Sequence, residues 1–287
     1  MLIIQHNMSS SIKLYKTKQG LYAEQNNSFY RLTDAWQETV NRKNLFQHLN
    51  ELLPSKEQVP EIPTHEIMAP IDNQEVWAAG VTYLRSKAAR MDESKNSGAD
   101  TFYDKVYEAE RPEIFFKATP QRVVGPNEPV RIRRDSSWNV PEPELTLFIS
   151  SEKTIEGYTI GNDMSSRSIE GENPLYLPQA KSYDGSAALG PCLLVLEKPI
   201  SLDTHIHLAI ARNGKEAFTG TAKLSQMKRT FSELAGWLTR ECSFPQGVYL
   251  MTGTCVVPDN TFTLAPFDKI TISIDGIGVL TNTVSKD

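Results

Sequence analysis

"WNVPEPELTLFIS", residues 138–150, sets two glutamates around a proline and then runs into apolar residues of strand-forming type. In an extended strand, residues i and i+2 point to the same side, about 7 Å apart at Cα. Glu142 and Glu144 therefore project together, and two bare carboxylates held that close are unfavourable. A hard divalent cation relieves the repulsion, since Mg²⁺ or Mn²⁺ prefers oxygen ligands. Pro143 has no N–H to give to a ladder, which places the pair at a sheet edge or rim. The bland alternative is a solvated strand face, and the spacing alone leaves it open.

A third ligand is offered by the next strand. "TIEGYTIGNDMSSR", residues 154–167, ends its apolar alternation at Asp163. If the two segments pair as antiparallel neighbours, the end of the second returns to the start of the first and Asp163 faces the glutamates. Three carboxylates and one dication leave a charge near −1, so an anionic substrate needs cations in the pocket. Lys181 in "LPQAKSYDGSAALGP" is one candidate, with Arg85, Lys87 and Lys117.

The whole chain narrows the choice. Its 287 residues are ample for one large domain or two unequal ones. With 39% hydrophobic and 23% charged residues it has the balance of a soluble globular protein. A net charge of −5 argues against a nucleic-acid partner. No apolar run approaches the roughly 20 residues that cross a bilayer, which argues against a membrane partner. The start, "MLIIQHNMSSS", lacks the cationic lead and apolar core of a secretion signal. Cys192, Cys242 and Cys255 are odd in number, form no CxxC pair and suit a reducing cytoplasm.

Along the chain, "IKLYK" and "GLYAE" read as strands. "NRKNLFQHLNELLP" reads as a helix, with Leu45, Phe46, Leu49, Leu52 and Leu53 at helical spacing and Pro54 ending it. The proline- and charge-rich "PSKEQVPEIPTHEIMAP" is the expected linker, giving a small α+β domain over 1–68 and a larger one over 69–287. In the latter, "EVWAAGVTY" reads as a buried strand leaving at Gly80, and "LRSKAARMDESKN" and "TFYDKVYEAE" as helices. Strand and turn then alternate, with hairpins expected in "HIHLAIARNGKEAFTG" and "ITISIDGIGVLTNTV" and one helix across "LSQMKRTFSELAGWLTRE". The class is a β-rich α+β fold, not a doubly wound sheet. His205 and His207 also stand at i and i+2, but no third histidine or cysteine lies at zinc spacing. The run Arg131, Arg133, Arg134 reads as a solvated face.

In "PEPELTLFI", "IEGYTIGNDMSSRSIE", "QAKSYDGSAALGP" and "GVYLMTGTCVVP" the chain resembles the fumarylacetoacetate hydrolase superfamily, over roughly residues 76 to 284. The resemblance implies a mixed β-sandwich roll, usually assembled as a homodimer or homotetramer. It also implies Mg²⁺ or Mn²⁺ on Glu142, Glu144 and Asp163, with Lys181 in the pocket. Hydrolases of that family carry a G-x-N-Y-x-x-H block whose histidine activates water. Here the block reads "GVTYLRSKAAR", with Ser86 at the histidine position, which weakens C–C hydrolysis. That variant, with "AERPEIFFKA", resembles the branch that dehydrates 2-keto-3-deoxy-D-arabinonate or -xylonate to 2,5-dioxopentanoate in pentose breakdown. In that branch the glutamate of "RPE" lies in the pocket, here Glu113.

The implied chemistry is loss of a C3 proton to give an enolate stabilised by the ion, followed by acid-assisted loss of the C4 hydroxyl. Lys181 as base and Glu113 as proton donor fit this, and the reverse assignment stays open. Arg85, Ser86, Lys117 and Thr254 are the substrate-binding candidates around the 2-keto acid. The bland readings are a surface arginine, an ordinary turn threonine, a loop lysine and a salt bridge from Glu113 to Arg111 or Lys117. Competing activities are hydrolysis of acylpyruvate-type diketo acids and decarboxylation of oxaloacetate. The non-enzyme alternative is a keto-acid-binding relic.

Overall fold

The computed structural model describes residues 10–84 and 105–286. The N-terminal residues form a meander of four strands, β1 (Ser11–Thr17), β2 (Gly20–Gln25), β3 (Ser28–Leu32) and β4 (Glu57–Val59). Between β3 and β4 lie α1 (Trp36–Val40) and α2 (Leu45–Leu52). β4 falls in the stretch expected to be a linker. Its exposed Glu57 and Gln58 give it no burial pattern of its own, and pairing with β3 is what makes it a strand.

The strands that follow are β5 (Glu75–Gly80), β6 (Glu113–Ala118), β7 (Val123–Val124), β8 (Pro129–Val130), β9 (Asn139–Val140) and β10 (Pro143–Ile149). After them come β11 (Ile155–Asp163), β12 (Ser165–Ser166), α3 (Arg167–Glu172), α4 (Leu177–Lys181) and β13 (Ala187–Leu196). The chain ends with β14 (His205–Arg212), β15 (Lys215–Lys223), α5 (Phe231–Leu238), β16 (Val248–Met251), β17 (Lys269–Ile274) and β18 (Gly278–Val284). One large sheet runs β4-β3-β2-β1-β13-β11-β10-β16-β5-β6, and β7 pairs with β13. A second sheet, β15-β14-β17-β18-β8, lies against it, with β18 on β13, β14 on β10 and β17 on β11. β12 and β9 form a separate short ladder.

Each face of the large sheet has its own core. Leu145, Leu147 and Ile160 point to the second sheet, where Leu208, Ile272 and Leu280 meet them. Phe148, Tyr249, Met251 and Val195 point the other way and pack with Leu14, Leu45, Leu49 and Leu53 of the N-terminal residues. At about 1.5–3 kcal/mol for each buried aliphatic side chain, that second core binds the N-terminal strands and α2 firmly to the rest. Glu156 adds a polar tie, accepting the Leu45 N–H at the start of α2 at 2.8 Å.

The hairpins expected at β14–β15 and β17–β18 form, turning at Asn213–Gly214 and at Gly276, all at positive φ. The helix expected across 224–241 is shorter. Thr230 and Glu233 form a capping box that starts it at Phe231, and the preceding residues make only a 3-10 turn, Leu224–Gln226. The two helices expected in 84–110 fall largely outside the described residues. Among the described residues, no helix is long and apolar enough to cross a membrane.

Candidate active site

β10 and β11 pair antiparallel, with Pro143 opposite Asn162 and Glu144 opposite Gly161. The ladder extends one step further, the Glu142 N–H donating to Asp163 O at 3.2 Å and the Asp163 N–H to Glu142 O at 2.9 Å. Residues facing each other across a ladder share a side of the sheet. Glu142, Glu144 and Asp163 therefore converge, each offering a carboxylate oxygen within 4.8 Å of the others. All three are buried, at 4%, 2% and 1% exposure.

The neighbouring strands end at the same place. β16 runs antiparallel to β10, so the residues after Met251 come level with Glu144, and the Gly253 N–H donates to Glu144 Oε2 at 2.6 Å. β5 runs parallel to β16 and brings Gly80 and Val81 alongside. Glycine is required at 253: φ is +96°, and a Cβ there would stand 2.0 Å from Thr82 Oγ1. Val81 lines the same space at φ 54°, a conformation a β-branched residue rarely takes. Glu113 opens β6 opposite Gly80, its carboxylate so close that a Cβ at Gly80 would lie 1.9 Å from Oε2. Strand alternation sets Glu113, Phe115 and Lys117 on one side of β6, and the Phe115 ring lies 5.6 Å from the Lys181 ammonium. Glu113 and the ring that Lys181 approaches therefore share one side of β6.

Lys181, fully buried at the end of α4, donates to Glu142 Oε2 (2.6 Å), Asp163 Oδ2 (3.0 Å) and Ser165 Oγ (2.5 Å). The sequence placed it beside the triad, and it lies within it. Lys117 differs from its expected role. It sits behind Asp163, its ammonium meeting Asp163 Oδ1 at 2.5 Å, Met164 O at 3.0 Å and Lys181 O. These contacts turn Lys117 towards Asp163 and the backbone behind it, and it does not line the space beside the triad, so it supports Asp163 instead. Thr254 is buried and lines the space beside Gly253, with its hydroxyl 3.4 Å from Val256 O. Arg85 and Ser86 lie outside the described residues.

Two charged residues enter the site without having been singled out. Arg167, opening α3, donates to Glu142 Oε1 at 2.6 Å, and Glu170, one turn on, lies 3.3 Å from the Lys181 ammonium. Both stand in the block "DMSSRSIE", where an arginine three residues before a glutamate marks one face of a short helix.

Electrostatics divides the carboxylates. Burial, followed by the Asp163 and Glu142 charges, pushes the Glu144 carboxyl well above the usual carboxylate range. Burial works the same way on Asp163, but the Lys117 and Lys181 ammoniums outweigh it and hold that carboxyl low. Burial disfavours the charge on Lys117 and lowers its pKa, with Asp163 opposing. The triad fits a hard dication on the chemistry of its donors: three buried carboxylate groups, one of them strained by like charge. Among the described residues, the histidines of β14 make no such group. His205 pairs with Asp275 and His207 with Thr221 on the outer face of the strand.

The family model for the fumarylacetoacetate (FAA) hydrolase C-terminal region matches residues 75–285. A protein of Haloferax volcanii described as a probable 2-keto-3-deoxyxylonate dehydratase is 46% identical over 219 residues, 75% of this chain and 74% of that one. The 2-dehydro-3-deoxy-D-arabinonate dehydratase of Saccharolobus solfataricus is 44% identical over 225 residues, 77% of this chain and 74% of its own. The solved structure of a 2-keto-3-deoxy-D-arabinonate dehydratase complexed with magnesium and 2,5-dioxopentanoate superimposes with a TM-score of 0.82 at 34% identity. That superposition covers 96% of this chain and 99% of the other.

Proposed function

Because the chain belongs to the fumarylacetoacetate hydrolase family, we propose that it is a magnesium-dependent dehydratase of a 2-keto-3-deoxy pentonate, forming 2,5-dioxopentanoate. One observation carries the reading: the buried Glu142–Glu144–Asp163 triad with Lys181 set into it, in a chain 44% identical to an arabinonate-derivative dehydratase. Charge supports the substrate class. Before Lys181 gives up its proton, four buried acids (Glu142, Glu144, Asp163, Glu170) against three buried bases (Lys117, Arg167, Lys181) leave −1, and a dication brings the site that the substrate enters to +1. A monocarboxylate neutralises that.

Glu142, Glu144 and Asp163 would hold the ion, which when bound supplies Lewis-acid stabilisation of negative charge on the substrate. Lys181, as the neutral amine, takes the proton from C3. Glu113, at the start of β6, gives a proton to the C4 hydroxyl, which leaves as water. A proton shift from C5 to C3 then gives the C4=C5 enol, and transfer of its hydroxyl proton to C4 gives the aldehyde. Thr254 and the Gly253 backbone border the space where the substrate carboxylate lies, and Arg85 and Ser86 belong to the same proposal as substrate contacts. So do Mn²⁺ as a substitute ion, a cytoplasmic location, and a homodimer or homotetramer that light scattering would detect.

The test is product analysis. With Mg²⁺ and a 2-keto-3-deoxy pentonate, NMR is expected to show 2,5-dioxopentanoate, while an acylpyruvate releases no pyruvate. Pyruvate release without dehydration would replace this reading with the hydrolase one. Tight keto-acid binding with no product from either compound would make the chain a binding relic.

A further inference from the structure

Lys181 and Arg167 both lean on carboxylates that would hold the metal. The Lys181 ammonium takes Glu142 Oε2 and Asp163 Oδ2, and Arg167 Nη2 takes Glu142 Oε1 at 2.6 Å. An ion held by Glu142 and Asp163 would compete with these cations for the charge of those carboxylates. Among the described residues, the two cations also lie beside a common acid outside the triad. Glu170, 1% exposed, has Oε1 3.3 Å from Lys181 Nζ and Oε2 3.9 Å from Arg167 Nε. Lys181 also donates to the neutral Ser165 Oγ at 2.5 Å. Glu142, Lys181, Glu170 and Arg167 thus close a ring of alternating charge joining α3, α4 and the start of β10. Glu170 does not belong to the cluster of converging ligand oxygens.

We infer that Glu170 is the positioning residue of Lys181. It keeps the lysine nitrogen directed at the substrate space while the triad serves the ion, and it does so without ligating the ion. The inference rests on the dehydratase reading for its kinetic arm only.

Glu170→Gln keeps the shape and removes the charge. In the Mg²⁺-loaded enzyme, kcat is expected to fall about 10- to 100-fold, the scale of a 1 Å misplacement of a reacting group. KM and the calorimetric Mg²⁺ affinity stay within about threefold. Glu170→Asp keeps the charge one methylene short and recovers part of kcat. The second arm needs no turnover: in crystals grown with Mg²⁺, Lys181 Nζ stays within about 3.5 Å of Glu170 and shifts in Glu170→Gln. A kcat within about twofold of wild type, or an unmoved Lys181, overturns the inference. A Mg²⁺ affinity lowered more than about tenfold also overturns it, by making Glu170 part of the metal site. If Glu170→Gln does not fold, Glu170→Asp decides by the same two arms. A wild type that dehydrates nothing defeats the functional reading alone, and the crystallographic arm still decides Glu170.

Discussion

β10 and β14 open alike. Glu142 and Glu144 lead into one, His205 and His207 into the other, and both pairs are metal-capable side chains at i and i+2. The strands around them differ. Every residue of β10 is buried, because the second sheet covers one face and the N-terminal core the other. β14 alternates, with Ile206, Leu208 and Ile210 turned inward and the histidines outward. A polar pair on a strand covered on both faces cannot be solvated and must find counter-charge. On a half-covered strand water does that work. Covered surroundings, more than spacing, separate a ligand set from a strand face.

The contrast breaks most sharply at Asp163. Asp163→Asn removes one ligand and leaves Lys117 and Lys181 without a shared counter-ion. Activity is expected to fall at least about 1000-fold, as for loss of a transition-state charge stabiliser, and Mg²⁺ binding by calorimetry to vanish. The variant also unfolds more easily, by about 3–5 kcal/mol for a broken buried pair. Retained Mg²⁺ affinity would remove Asp163 from the ligand set.

Chelation probes the same side of the comparison through pH. In the chelated protein the raised Glu144 carboxyl stabilises the fold in its protonated form. That contribution is complete below the unfolded value of about 4.3 and is lost as pH rises through the higher folded value. Asp163, held low, has the opposite sign, its contribution lost only as pH falls below its ordinary range. The Mg²⁺-induced rise in Tm is therefore expected to grow from weakly acid to neutral pH, and Glu144→Gln to flatten that growth. A Tm gain independent of pH in the wild type would contradict it.

A smaller effect is expected where backbone, not charge, supports the triad. Gly253→Ala forces a Cβ against Thr82 and strains a positive φ, costing about 1–3 kcal/mol. Since Gly253 N–H holds Glu144, activity falls about tenfold with it. A stable Gly253→Ala enzyme of wild-type activity would show that Glu144 needs no such support.

These particulars show what could be read in advance. The triad was legible because i, i+2 spacing and pairing of sequential strands are local facts, and Asp163 lies only one hairpin from Glu142. Lys117 was misplaced because its partners, Asp163 and the Lys181 carbonyl, lie 46 and 64 residues away. A lysine inside the apolar "IFFKA" nonetheless carried a signal, since a buried ammonium needs a carboxylate. The start of α5 was also written locally, in Thr230 and Glu233, but the longer apolar periodicity hid it. β4 had no signal of its own, because an exposed three-residue edge strand is defined by its neighbour.

The other side of the comparison predicts the smallest change. In His205→Ala/His207→Ala the imidazoles leave Asp275 and Thr221, partly exposed contacts worth about 0–1 kcal/mol each. The inward residues Ile206, Leu208 and Ile210 keep the register of β14 against β17. Activity with Mg²⁺ is expected to stay within about twofold and Tm within about 2–4 °C. Metal stoichiometry stays the same as in the wild type, whichever divalent ion is supplied. A variant that loses bound metal would place a second ion on β14, and burial on both faces would then no longer distinguish the two strands.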